Sequence, residues 1–250
     1  MKCIYNLYMN ISIEKFSKKI NEVINKISNN EKGKIKEVAK KLSKKYLDGS
    51  HLYIFGTGHN HCIAEESLHR AGAFAGVTPI LDKKIDFGEG ITKASANERD
   101  KSLAKKIFEK FKPVKGDSII IFSNSGVNQL PIEISKIAKK KGLYVITVLS
   151  IKYANSLLPK SFKNLSHFCD IYINNYSPIG DTIFEEKNIG ISSSSTIAGI
   201  FILNSLWVEM YKFLKNEKPL PFYKSSNLPR SNLHNKKIEN KFKNKNIFLK

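Results

Sequence analysis

Cysteine is scarce in this sequence and arginine nearly absent. Only Cys3, Cys62 and Cys169 occur. Scattered and odd in number, they form no CxxC pair and no disulfide framework, which fits a reducing cytoplasm and speaks against a structural zinc. Of 42 basic residues, only Arg70, Arg99 and Arg230 are arginines. A dedicated nucleic-acid reader would carry arginine forks and aromatic stacking platforms. No specific nucleic-acid partner is therefore expected, despite a formal net charge of +20. Abundant asparagine and isoleucine beside the lysines point to a compositional bias. The charge still attracts anionic metabolites at long range. Long apolar runs are missing as well: none approaches the ~20 residues of a membrane span, and no membrane partner is expected. The N-terminal "MKCIYNLYMNISIEKF" has no small-residue cleavage site and reads as something other than a secretory leader.

What is present suits a packed core: 41% hydrophobic and 10% aromatic residues in 250. Residues 12–29 place Ile13, Phe16, Ile20, Val23, Ile24 and Ile27 on one helical face, and a second helix runs to about Tyr46. Strands and helices then alternate. "HLYIF" (51–55), "VTPIL" (77–81), "SIIIF" (118–122), "LYVITVLS" (143–150) and "CDIYIN" (169–174) read as strands, with Pro79 marking an edge. Helices are predicted over 62–76, 99–111, 128–141 and 195–216. Residues 82–98 show no clean period and read as a loop, as does the polar stretch 181–195. Continuous apolar strands alternating with helices argue for a parallel sheet covered on both faces. Beyond Pro219 the chain turns rich in Pro, Asn, Ser and Lys. Its first part reads as an ordered arm, and its last part, from Lys236, as a solvated charged tail.

Ligands of such sheets sit beyond the carboxyl ends of the strands, and two loops there carry the chemistry. After the third strand comes "SNSGVN": Ser123, Asn124, Ser125, Gly126 and Asn128. The amides of the following helix start attract an anion, the serine hydroxyls add donors, and Gly126 lets the backbone come close. Helix capping alone would need just one such residue. No Walker lysine is present. The hydroxyl run Ser192–Thr196 precedes the most apolar helix and offers a second site of this kind through Ser194, Ser195 and Thr196. The third loop, "FGTGHNH", supplies Gly56, Thr57, Gly58, His59 and Asn60. It lacks the third glycine of a dinucleotide fingerprint, since His61 stands there, and no metal site is expected, because His59 and His61 have no third ligand at suitable spacing.

Together these stretches, with the tail motif "SSNLPRSNLHN", resemble the SIS (sugar isomerase) domain family over about Ile13 to Asn235. More narrowly they are similar to an uncharacterised bacterial branch distantly related to phosphoheptose isomerases. The resemblance implies a three-layer α/β/α sandwich on a five-stranded parallel flavodoxin-like sheet. It divides the chain into an N-terminal helix (1–30) serving as an oligomer contact, the SIS domain (31–216) and a C-terminal arm and basic tail (217–250). It further implies a phosphorylated sugar held by Ser123, Asn124, Ser125 and Asn128 with help from Ser194, Ser195 and Thr196, no cofactor, and a homo-oligomer, dimer or tetramer, with sites at subunit contacts.

Aldose–ketose isomerisation needs a base near carbon and a second group to shuttle protons between oxygens. The sequence candidates are Glu65, Glu66, His69 and His234, with His59, His61, Asp181 and Glu186 as alternatives. Glu65 and His69 have helical i,i+4 spacing, which also suits a plain surface pair. The family's catalytic glutamate on the helix after the first loop falls here near His69 or Arg70. Family resemblance draws a late histidine, His234, into the site from a neighbouring subunit. The expected function is metal-independent sugar-phosphate isomerisation. The alternatives are a non-catalytic sugar-phosphate sensor and a phosphosugar ether lyase.

Overall fold

The computed structural model describes residues 11–159 and 161–249; Cys3 and the start of the N-terminal segment lie outside them. Ser12 caps α1 (Ile13–Asn30), accepting from the Lys15 amide, and α2 (Lys32–Leu47) follows with only Glu31 between. Five parallel strands then form: β1 (Leu52–Gly56), β2 (Val77–Pro79), β3 (Ser118–Phe122), β4 (Tyr144–Leu149) and β5 (Ile171–Asn174). Their spatial order is β2-β1-β3-β4-β5, the flavodoxin-like arrangement, with the strand order reversing between β1 and β3. Pro79 sits on the edge strand, where a missing N–H costs no ladder bond.

Strand pleating divides the core in two. Leu52, Ile54, Ile120, Phe122, Ile146 and Val148 face one layer, and Tyr53, Phe55, Ile119, Ile121, Val145 and Leu149 face the other. Both faces are covered, so the strands read as unbroken apolar runs. The first layer holds α1, α2, the short α3 (His61–Glu66) and α8 (Ser195–Leu214). The second holds α5 (Leu103–Lys110), α6 (Gln129–Lys140) and α7 (Ile151–Leu157). The helix α8 is long and apolar enough to cross a membrane by composition. Here Ala198, Ile202, Leu206, Trp207, Met210 and Leu214 are buried against the sheet and α2. The stripe of α1 is also used within the chain. Val23 and Ile27 join the main core, and Ile20 packs on Ile183 and Phe184.

Four stretches differ from their sequence reading. The helix read over 62–76 ends at Glu66, because the amides of Gly72 and Ala75 pair with the carbonyls of Tyr223 and Pro221. Residues 82–98 contain α4 (Ile91–Asn97), which buries only Ala94 and so shows no amphipathic stripe. Residues 182–193 form a hairpin of β6 (Thr182–Glu186) and β7 (Ile189–Ser193). Its turn residues Lys187 and Asn188 both have positive φ, a conformation usually announced by Asn-Gly. The charged end of the chain forms α9 (Ser231–Phe242), whose Ile238 and Phe242 are buried with Ala75 and Tyr223.

The arm closes the open side of the edge strand. The side-chain amide of buried Asn246 donates to the carbonyl of Val77 in β2 at 3.0 Å. An uncovered edge carbonyl is an aggregation template, and a buried one without a partner costs about 1–3 kcal/mol. Asn246→Ala should lower the urea-unfolding free energy by about that amount, whereas Asn240→Ala at an exposed position should leave it unchanged. Equal stability of the two variants would show that the arm does not seal the edge.

Beneath the arm, His51 is buried, with its Nε2 2.7 Å from Thr78 Oγ1. Burial, with Lys245 nearby, pushes its imidazole down to about 3 from 6.5. Below pH 6.5 the unfolded chain takes up a proton here that the folded chain refuses. The stability held by the neutral ring is therefore complete above that pH and falls as pH drops toward 3. Urea titrations across this range should show a shallower decline for His51→Gln than for the natural chain; parallel declines would assign the acid sensitivity to other groups.

Candidate functional site

A cleft of about 350 Å³ opens where the strand order reverses, between the loops that follow β1 and β3. Its first wall is the turn Thr57–Asn60. Gly56 must be glycine for this turn to close: a Cβ there would collide with the main-chain carbonyl of Asn60. Gly58 has φ +54, and a Cβ on it would stand 2.6 Å from Glu98 Oε1. Its bare backbone is what lets the Glu98 carboxylate into the cleft. His59 stands exposed over Phe87, ring centroids 5.2 Å apart.

The opposite wall is the β3–α6 turn, contributing Ser123, Asn124, Ser125 and Asn128. Its carbonyls are tied outward: the Ser150 amide donates to Asn124 O at 2.9 Å and the Leu165 amide to Gly126 O at 2.8 Å. Its amides are not tied. Among the described residues, no main-chain N–H from Asn124 to Asn128 has a protein acceptor, and neither does the hydroxyl of Ser123 or Ser125. Asn175 Nδ2 donates to Asn124 Oδ1 at 2.9 Å, which leaves the Asn124 amide nitrogen as a further free donor. Gly126 itself packs against Leu149 and does not line the cleft. No lysine or arginine lines it among the described residues. The turn is a set of neutral donors at a helix N-terminus, suited to an oxyanion.

The second hydroxyl run is arranged differently. Asp181 turns its carboxylate onto the start of α8. Oδ1 accepts from the amides of Ser194 at 3.2 Å and Ser195 at 2.8 Å, and Oδ2 accepts from Ser195 Oγ at 2.5 Å. Ser194 Oγ adds a contact of 3.3 Å to Oδ1. Asp181 and Ser195 both line the cleft; Ser194 lies buried behind them, and Thr196 does not reach it. Asp181 adopts φ +65, directly after Gly180 at +75. A left-handed backbone costs an L-residue about 1–2 kcal/mol, here offset by the bonds the carboxylate makes.

The third wall is α4, supplying Ile91, Ala94 and Ser95, followed by Glu98. Glu98 is the chief residue that sequence reasoning missed. Its Oε2 accepts from Asn128 Nδ2 at 2.9 Å, and its carbonyl accepts from the Leu130 amide at 3.1 Å. The carboxylate thus stands beside the anion turn. Tyr153 of α7 was also missed. Only the recurrence of Ile91, Ala94 and Glu98 at helical spacing hinted at a wall there.

None of the four sequence-named acid–base candidates lines the cleft. Glu65 is exposed and 3.4 Å from His61 Nδ1, and Glu66 pairs with Arg70 at 3.0 Å. His69 lies past the end of α3 with φ +51. It therefore does not share a helix face with Glu65, and approaches Glu239 at 3.3 Å. His234 Nε2 bonds the Phe222 carbonyl at 2.9 Å. Of the alternative acids, Asp181 faces the cleft and Glu186 does not. Among the described residues, no three histidine, cysteine or acidic side chains gather in a way that could hold a metal ion.

With this geometry established, similarity to known proteins is informative. The SIS domain profile matches residues 15–150. A UPF0309 protein of Brucella anthropi is 35% identical over 205 residues, covering 81% of this chain and 84% of that protein. In structure, a phosphoheptose isomerase from Francisella tularensis superposes with a TM-score of 0.53 at 12% identity, over 80% of this chain and 96% of that one. The Vibrio vulnificus NanR protein, complexed with ManNAc-6P, gives a TM-score of 0.50 at 11% identity, over 85% and 66% of the two chains. At such identities the structural likeness speaks to the fold alone. The sequence matches go further, and by them the chain belongs to the SIS domain family, alongside its UPF0309 proteins.

Proposed function

We propose that the protein binds a sugar monophosphate in this cleft and interconverts its aldose and ketose forms by proton transfer. The observation carrying this reading is the β3–α6 turn, whose amides and serine hydroxyls face the cleft without protein partners. A phosphate seated there would accept from Ser123, Ser125 and the turn amides while the sugar extends toward Glu98. Glu98 then stands where a base is needed. Its carboxylate would take the proton from C2 of the aldose, giving an enediol, and return it to C1. Moving the hydroxyl proton between O1 and O2 falls to a second group, and His59, Tyr153 and Asp181 all line the same space. Phe87 and Ile91 add apolar cover over the sugar.

Glu65, Glu66 and His69 enter this scheme only as groups outside the cleft. His234 would reach it only from another copy of the chain. The resemblance implies a homo-oligomer, and the apolar stripe of α1 is already used internally. Ile197, Val208 and Tyr211 on α8 remain exposed and offer the freer contact surface.

Ser123→Ala and Ser125→Ala should each weaken sugar-phosphate binding about tenfold or more, since a hydrogen bond to a charged group is worth about 1.5–3 kcal/mol. Calorimetric titration against a panel of phosphorylated and unphosphorylated sugars measures this, and undiminished affinity in both variants would remove the phosphate from the turn.

Glu98→Gln should lower turnover about 10²–10⁴-fold with binding nearly unchanged. A natural chain that binds a sugar phosphate yet turns none over would make the protein a sensor. Elimination of an ether substituent in place of isomerisation would make it a lyase.

A further inference from the structure

Two helices begin at the cleft, and they meet it in opposite states. The amides of the turn before α6, from Asn124 to Asn128, are free, whereas the Ser194 and Ser195 amides at the start of α8 are occupied by a carboxylate from the same chain. An incoming oxyanion would need the Ser194 and Ser195 amides and the Ser195 hydroxyl to settle on α8, and Asp181 already holds all three. The backbone is bent to put it there, with Gly180 and Asp181 both left-handed. Glu98 adds a second acid, and no lysine or arginine among the described residues lines the cleft to balance either. The cleft therefore has one end that favours an anion and another that already contains one.

Resting on the sugar-phosphate reading, we propose that Asp181 is a specificity-determining residue. It acts as an internal anion that fills the α8 terminus. The cleft accepts sugar monophosphates whose far end is neutral or cationic, and rejects sugar bisphosphates and phosphorylated sugar acids. With the phosphate on the β3–α6 turn, a second anionic group at the α8 terminus would have to lie against Asp181, where like charges repel and no counter-ion is provided. Selection comes from the repulsive element as much as from the attractive turn.

The test uses the full chain and matched ligands: glucose 6-phosphate, glucose 1,6-bisphosphate and 6-phosphogluconate, with inorganic phosphate as a sugar-independent probe. The natural chain should bind the monophosphate at least tenfold more tightly than the other two. Asp181→Asn, close in shape but uncharged, and Asp181→Ala should reduce that preference to threefold or less, mainly by tightening the dianionic ligands. Phosphate titration followed by ³¹P NMR should show one more bound equivalent in Asp181→Ala than in the natural chain. A preference that survives both substitutions, or a phosphate count that does not change, overturns the proposal. A natural chain that binds none of the three sugars sinks the sugar-phosphate reading instead, and the phosphate count in Asp181→Ala then still decides whether Asp181 fills the helix terminus.

Discussion

The site depends on one constraint: a buried parallel strand must stop and a helix must start within a few residues, and the first amides of a helix have no acceptor inside it. Between β3 and α6 the chain also leaves the turn amides from Asn124 to Asn128 unsatisfied by protein, beside a cleft lined by Ser123, Asn124, Ser125 and Asn128. That is tolerable only because the cleft is open to water or to a ligand. Everything nearby preserves the arrangement. Ser150 and Leu165 pull the turn's carbonyls outward, Asn175 fixes the orientation of the Asn124 amide, and Gly126 allows a bend against Leu149 that a side chain would obstruct. The sheet supplies the rest, because the reversal of strand order between β1 and β3 leaves no covering helix over that point.

The start of α8 poses the same problem and receives the other solution. Asp181 satisfies the Ser194 and Ser195 amides and the Ser195 hydroxyl from within, at the cost of a strained backbone. One cleft thus adjoins an open turn and an occupied helix start. Glu98 lines the same cleft, bonded to Asn128 of the open turn. On the proposed reading, a carboxylate beside the turn is an awkward neighbour for a bound phosphate unless it acts on the atoms just beyond it. Asn128 tempers that conflict by holding the carboxylate through a neutral donor. The absence of a lysine at Gly58 or Asn128 then has a physical sense. Under the proposed function, a cation there would bind the phosphate more tightly but would also neutralise the proposed base.

How legible all this was depended on how local each signal is. The strands were readable because both faces are covered and every residue from Ile119 to Phe122 is apolar. The β3 turn was readable because its donors are consecutive in sequence. Glu98 was not. It lies thirty positions from its partner Asn128, at the end of a helix that buries one alanine and leaves Ile91 exposed. The hairpin escaped notice because Lys187-Asn188 takes a turn usually written Asn-Gly. The tail misled because lysines dominate α9, while Ile238, Phe242 and Asn246 do its packing. The helical pairing of Glu65 with His69 failed once α3 gave way to pairing with the arm. Except in the hairpin, a distant segment, invisible to local periodicity, decided the outcome.

The lysine excess finds its place in the same terms. The Nζ of Lys34 lies over Tyr172 at 4.2 Å, that of Lys41 over Tyr144 at 4.1 Å and that of Lys136 over Phe168 at 4.9 Å. Such lysines shield apolar surface and extend charge into solvent. They are spread over α2 and α6 and so compose no single recognition stripe. Their collective field still reaches an anion many ångströms away, within a Debye length of about 8 Å at physiological salt for any one charge. Capture and recognition are thereby separated. Diffuse lysine charge would raise the local concentration of any anion without regard to identity. The cleft differs from that surface: its lining among the described residues holds neutral donors and two carboxylates, Glu98 and Asp181, and no lysine.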